Sequence, residues 1–209
     1  YETFRECECI HPHRIKRYLL GSGIHYKEYA EKSLDTFRED TEEAKRMKLL
    51  AKQFLADQNA IGMSFFGKPG TGKTHICIAA CQEFTRKQYL PHYYFSYRSE
   101  MQRLKAAYYD SESYGRMMEK WQGCKLLYID DLLKFAKDMH GKFLNQELQI
   151  IYDVINARYI NRAKTIFSSE YTVSELCEID SALGSRIYEM VNPYGMKCEG
   201  ENRRVAAEK

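Results

Sequence analysis

No apolar run in this 209-residue sequence approaches the roughly 20 residues a bilayer span needs, and no secretory-leader pattern opens the chain. A membrane partner is therefore not expected, and a cytoplasmic location is. The even cysteine set of a disulfide framework is lacking too. Seven are present, Cys7, Cys9, Cys77, Cys81, Cys124, Cys177 and Cys198, and five fall in helical or strand-like segments with apolar neighbours. That usage suits a reducing compartment, where cysteine behaves as a small hydrophobe. There is no internal repeat and no low-complexity tract, which excludes a repeat array. An excess of one charge is missing as well: a net +3 permits contact with nucleic acid but does not argue for it. The chain does not begin with Met and closes on the charged stretch Val205–Lys209, so it reads as a piece of a longer protein.

With 44% hydrophobic residues, the chain can bury one sizeable core. Residues 1–33 are mixed, with a basic patch (His11, His13, Arg14, Lys16, Arg17) and a Gly-Ser-Gly break at Gly21–Gly23, and they read as a linker. Residues 34–209 read as the main domain. Asp40 followed by Glu43 resembles a capping box, and Ala44, Met47, Ala51, Phe54 and Leu55 recur at helical spacing. Strands are predicted at Ile61–Phe66, Tyr93–Ser96, Lys125–Ile129, Thr165–Ser168 and Met196–Cys198. Helices are predicted at Lys73–Arg86, at Glu100–Tyr109 with a polar continuation to Trp121, and at Asn145–Tyr159. Alternating strands and helices imply an α/β domain: a central parallel five-stranded sheet covered on both faces.

Gly67-Lys68-Pro69-Gly70-Thr71-Gly72-Lys73-Thr74 fits the phosphate-loop pattern G-x-x-x-x-G-K-S/T in full. Glycines let backbone amides turn towards phosphate oxygens, and the following helix N-terminus adds a favourable dipole. Lys73 is expected to reach the terminal phosphates and Thr74 to sit on Mg²⁺, so ATP or ADP with Mg²⁺ is the expected ligand. A carboxylate is needed for the hydrated metal, and Leu126-Leu127-Tyr128-Ile129-Asp130-Asp131 ends an apolar strand in two acids. Asp130 is the metal candidate and Asp131 the residue to orient or deprotonate the attacking water. Ser168, Ser169 and Glu170, where another strand emerges, either hold that water or simply begin a loop. Arg186, in Leu183-Gly184-Ser185-Arg186-Ile187, is either the cation needed near the terminal phosphate or a solvated surface arginine.

These segments together resemble the AAA+ ATPases of the bacterial DnaC/DnaI helicase-loader group, which includes the IstB transposition ATPases. The resemblance runs from about Leu34 to Arg203 and is carried by four marks: Gly70-Thr71-Gly72-Lys73-Thr74-His75, Ile129-Asp130-Asp131-Leu132, Thr165-Ile166-Phe167-Ser168-Ser169 and Gly184-Ser185-Arg186-Ile187. It implies a three-layer P-loop domain without a C-terminal helical lid. Gly67, Pro69, Gly70, Thr71, Gly72, Lys73, Thr74 and His75 would hold nucleotide, and Arg186 would complete a neighbouring subunit's site, which requires self-association. The Tyr97–Trp121 segment matches the position of the helix such loaders lay on single-stranded DNA, with Arg98, Arg103 and Lys105 among its cations; a plain amphipathic surface helix reads the same way. Relatives place Asn where Glu170 stands, and a carboxylate there repels a phosphate unless it is paired or points away. Cys7 and Cys9 look like the last two ligands of the group's N-terminal zinc module, which implies Zn²⁺ in the full-length protein.

The leading expectation is an ATPase, slow in isolation, that engages the replicative DNA helicase and single-stranded DNA as replication starts. An IstB-like transposition helper is the alternative on the same fold. A P-loop phosphotransferase is the reading from another class, against which stands the want of an arginine-rich lid or second substrate pocket.

Overall fold

The computed structural model describes residues 10–203. In chain order the elements are α1 (Ile10–Gly21), α2 (Tyr26–Glu31), α3 (Glu42–Ala56), β1 (Gly62–Gly67), α4 (Lys73–Gln88), β2 (His92–Ser96), α5 (Tyr97–Ala107), α6 (Ser111–Gly123), β3 (Leu126–Asp130), α7 (Asn145–Ile160), β4 (Lys164–Ser169), α8 (Val173–Ile179), α9 (Ser181–Val191) and β5 (Gly195–Cys198). The five strands form one parallel sheet in the order β2-β3-β4-β1-β5. This is the expected α/β P-loop architecture, and among the described residues no helical lid follows β5. No helix of the described residues is long and apolar enough to cross a membrane.

Period-two alternation sorts the sheet between two cores. Met63, Phe65, Leu126 and Tyr128 face α1–α4 and meet Phe54, Ile76 and Cys77. Phe66, Leu127, Ile129 and Phe167 face α5, α6, α7 and α9 and meet Trp121, Ile151 and Ile187. Because both faces are covered, every residue of β1 and β3 is buried. Cys77, Cys81 and Cys198 sit in this interior as free thiols, and burial pushes each well above a thiol's ordinary range.

Three expectations need correction. The described part of the stretch expected as a linker, from residue 10 on, folds into α1 and α2, which bury Leu19 and Tyr29 against the sheet-facing core. The N-cap of α3 is Thr41, whose hydroxyl accepts from the Ala44 amide, and not Asp40; Glu43 instead accepts from the amides of Glu199 and Gly200 just beyond β5. The expected polar continuation of the helix after β2 is the separate helix α6, because Asp110 breaks the chain and caps a new first turn by accepting from Ser113.

The topology brings the functional segments together. β4 lies between β1 and β3 with Phe66 opposite Ser169 and Ile129 opposite Phe167, so the phosphate loop, Ser168–Glu170 and Asp130–Asp131 emerge side by side at the carboxyl ends of the strands. Ligands of open parallel sheets bind at such an edge.

Candidate nucleotide site

The phosphate loop leaves β1 at Gly67 and re-enters helix at Lys73. Gly67 has φ +108° and Gly70 φ +78°, both in the left-handed region. At Gly67 a Cβ would also stand 2.4 Å from the Cys198 carbonyl oxygen, so only glycine fits. The Lys73 ammonium is buried and rests on the carbonyls of Gly67 (2.7 Å) and Lys68 (2.6 Å). No carboxylate of the described residues lies within ion-pair distance of it, and burial lowers its pKa. A desolvated cation held only by carbonyl oxygens is matched to an anion. Thr71 braces the turn by donating to the Lys68 carbonyl.

Pro69, Gly70, Gly72, Lys73, Thr74 and His75 line a cavity of about 510 Å³. Its other walls supply Lys32, Arg38, Lys134 and Arg203 against only two acids, Asp131 and Glu170. The cationic excess fits a polyanion. A larger cavity of about 610 Å³ opens at the amino ends of the strands, but its one acid, Asp57, already accepts from the Tyr194 hydroxyl.

Asp130, at the end of β3, is buried and saturated. It accepts from Thr74 (3.3 Å), Tyr128 (2.5 Å) and Ser168 (2.5 Å) on one oxygen and from Tyr94 (2.8 Å) on the other. Burial, and then the neighbouring charge, push both tyrosine hydroxyls well above a phenol's ordinary range, so they stay donors. The Thr74 hydroxyl beside a fixed carboxylate forms an oxygen-rich corner that could hold a hydrated divalent cation. Asp131 adopts the left-handed conformation (φ +54°), which turns its side chain out of the strand's line and into the cavity. Its amide donates to Ser168 Oγ (3.2 Å).

Of the three residues emerging from β4, only Glu170 lines the cavity. Its expected repulsion is met by Lys134, whose ammonium is 2.9 Å from Glu170 Oε1 and 3.1 Å from Asp131 Oδ2. Burial lowers the Lys134 pKa, but the hydrogen bonds to Glu170 and Asp131 and the charge of both acids together outweigh it and raise the pKa. The expectation that Ser169 shares in holding water is corrected: it is fully buried, donates to the Leu132 carbonyl and accepts from the Tyr171 amide. Its hydroxyl proton is engaged within the loop, and Ser169 is not among the residues lining the cavity.

The far wall is the segment Ser33–Arg38. His75 Nε2 lies 3.0 Å from the Ser33 carbonyl and 3.3 Å from Thr36 Oγ1, and its ring meets Phe37 edge-on at 5.1 Å. Burial lowers the His75 pKa, so the neutral ring is favoured. Arg203 closes the arrangement, with its guanidinium 2.8 Å from Asp40 and 5.5 Å from the centre of the Phe37 ring.

The remaining candidates stand apart. Arg186 does not line this cavity; it donates to Asn156 (2.7 Å) and to the Ala182 carbonyl (2.9 Å), over the rings of Tyr152 and Tyr159. Among the cations considered for DNA, Arg103 pairs with Glu100 at 3.1 Å and Lys105 with the buried Glu147 at 2.5 Å, while exposed Arg98 lies over Phe135 at 5.1 Å. Tyr97 is buried and donates to Glu147, so it offers no face to a base. Cys7 and Cys9 lie outside the described residues. Among those described, no cluster of three His, Cys, Asp or Glu side chains is set to hold a metal.

Sequence reading missed Tyr94, Tyr128, Lys134, Phe37 and Arg203. Tyr128 was within reach, since a residue two before Asp130 on one strand shares its face. Lys134 gave no signal: its position depends on a loop with left-handed residues at Asp131 and Leu133.

Comparison with known proteins agrees with this geometry. A family described as IstB-like ATP binding protein matches residues 9–187. The phage-like element PBSX protein XkdC of Bacillus subtilis (strain 168) is 32% identical over 95% of this chain and 76% of its own length. YqaM of the same organism is 31% identical over 96% of this chain, which spans only 65% of YqaM. Among solved structures, the DnaC helicase loader superposes with a TM-score of 0.70 at 24% identity, over 84% of this chain and all of that one, a likeness of fold. A family match that takes in the phosphate loop, both strand-end acids and most of the described chain decides the affiliation: this chain belongs to the IstB-like ATP binding proteins.

Proposed function

We propose that the chain binds ATP with Mg²⁺ in the cavity above the sheet and hydrolyses it, as a loader that engages a replicative DNA helicase and single-stranded DNA. The observation that carries the ATP reading is Lys73: a buried cation with only carbonyl partners, in a glycine-formed loop opening into a cationic cavity. Lys73 binds the terminal phosphates and the backbone amides of the loop bind the rest. Thr74 and Asp130 would hold the metal, whose charge offsets that of the phosphate oxygens. Asp131, facing the cavity, takes the proton of the attacking water. Arg186 completes the site of a neighbouring copy and not its own.

Replacing Lys73 with Ala tests the ATP reading: nucleotide binding is expected to vanish while thermal unfolding stays close to wild type. Tight binding and full turnover in that variant would refute it. The loader reading is supported by the fold shared with the DnaC helicase loader. Co-purification with the cognate helicase, with and without ATP, tests it, and no association in either condition counts against it. The family match favours a second reading, an IstB-like transposition helper. Preference for duplex over single-stranded DNA selects that alternative.

A further inference from the structure

Two acids face the cavity that the reading above gives to a triphosphate, and that reading gives one of them, Glu170, no task in phosphate chemistry. Its carboxylate is shared with Asp131 by a single ammonium, Lys134, at 2.9 and 3.1 Å. The lysine is placed by its own loop. Leu132 and Leu133 are fully buried, the Leu132 amide donates to the Ser168 carbonyl, and the Lys134 amide donates to that of Asp131. These contacts bring a side chain from beyond the strand end back beside it. The three side chains are between 30 and 43% exposed, so water weakens the pairing without abolishing it.

We propose that Lys134 and Glu170 act as one unit that sets the preference of the site for triphosphate over diphosphate. Lys134 cancels Glu170 and holds Asp131 towards the cavity. The proposal rests on the ATP reading of this cavity. With the ammonium removed, two uncompensated carboxylates face the end of the cavity where Lys73 reaches the ligand. A ligand carrying one more anionic phosphate there is penalised more than one ending a phosphate earlier. A lysine that merely braced the loop would weaken both ligands alike.

The test is titration of the full chain with ATP and with ADP, each with Mg²⁺, for wild type, Lys134→Met, Glu170→Gln and the double variant. Lys134→Met is expected to lose about fivefold more affinity for ATP than for ADP. Glu170→Gln, which breaks the same pair from the other side and leaves Asp131 with its lysine, is expected to keep or raise the ATP preference. The double variant should return to within about twofold of the wild-type ratio. Equal loss of both nucleotides in Lys134→Met, or no recovery on adding Glu170→Gln, overturns the proposal. If Lys134→Met does not fold, a fall in the ATP preference of Glu170→Gln does the same. Wild-type protein that binds neither nucleotide overturns the ATP reading itself, and this proposal with it.

Discussion

The backbone amide of Arg203 donates to the carbonyl of Gly70 across 3.0 Å, so the residue that ends the described chain is hydrogen-bonded to the crown of the phosphate loop. The side chain of the same residue reaches the opposite wall, where it pairs with Asp40 and donates to the Arg38 carbonyl. Arg203 thus ties three separate stretches of sequence around one cavity. Asp40 is half-exposed, so the pair itself contributes little, and the fixed wall matters more.

Arg203→Ala is therefore expected to lower Tm by about 2–4 °C, the shift that roughly 1 kcal/mol produces in a domain of this size. The rise in Tm on adding ATP should shrink as well, because the wall formed by Phe37 loses its tether. Thermal unfolding with and without ATP checks both. An unchanged ATP-induced rise would mean that the wall is held without Arg203.

The fold was legible because its signals are local. Apolar runs such as Leu126–Ile129 and helical spacing such as Ala44, Met47, Ala51 and Phe54 each state an element within a few residues. The phosphate loop and the two acids were legible for the same reason. What escaped reading depends on side chains converging across long separations. Arg203 meets Phe37 and Lys134 meets Glu170 only because the strand order places their loops together. Tyr97 and Lys105 give no local sign of where they point. As a tyrosine and a lysine on an amphipathic helix they suit a nucleic-acid face, yet both turn inward to Glu147.

That inward turn makes Lys105 a stability residue. Glu147 is 6% exposed, and its two oxygens take the Lys105 ammonium and the Tyr97 hydroxyl. Lys105→Ala strands a buried carboxylate and is expected to cost about 1–3 kcal/mol, with much of the loss recovered by adding Glu147→Gln. Chemical denaturation of the single and double variants measures this. Affinity for single-stranded DNA should fall on Arg98→Ala and be unmoved by Lys105→Ala once folding is accounted for. A reversed order would assign the DNA contact to Lys105 after all.

A pH dependence follows from His92. Its ring is fully buried between the Tyr29 hydroxyl and the Thr85 hydroxyl, each 2.7 Å from a ring nitrogen, and burial pushes its pKa down to about 3. In the unfolded chain the ring titrates near 6.5. Between these values the unfolded state binds a proton that the folded state does not, so stability is present above pH 6.5 and is lost as pH falls towards 3. The loss attributable to this one group amounts to up to about 4 kcal/mol. Unfolding free energies at pH 7 and pH 4.5 should differ less in His92→Gln than in wild type. Equal slopes in the two proteins would remove His92 as the cause.

The position of Arg186 makes the last prediction. Its guanidinium lies over Tyr152 and Tyr159 at 5.0 and 5.8 Å, is oriented by Asn156, and is not among the residues lining its own chain's cavity. On the proposed reading, a cation so placed acts on the phosphate of another copy. Arg186→Ala should therefore bind ATP as wild type does and turn it over at least about tenfold more slowly, since a finger arginine acts on the transition state. Wild-type turnover per subunit should climb with protein concentration. Mixing Arg186→Ala with Lys73→Ala should restore activity that neither variant has alone, because a chain with an intact loop then meets a neighbour with an intact arginine. A rate independent of concentration, together with silence in the mixture, would place the missing cation within the chain and leave Arg186 as a packing residue of α9.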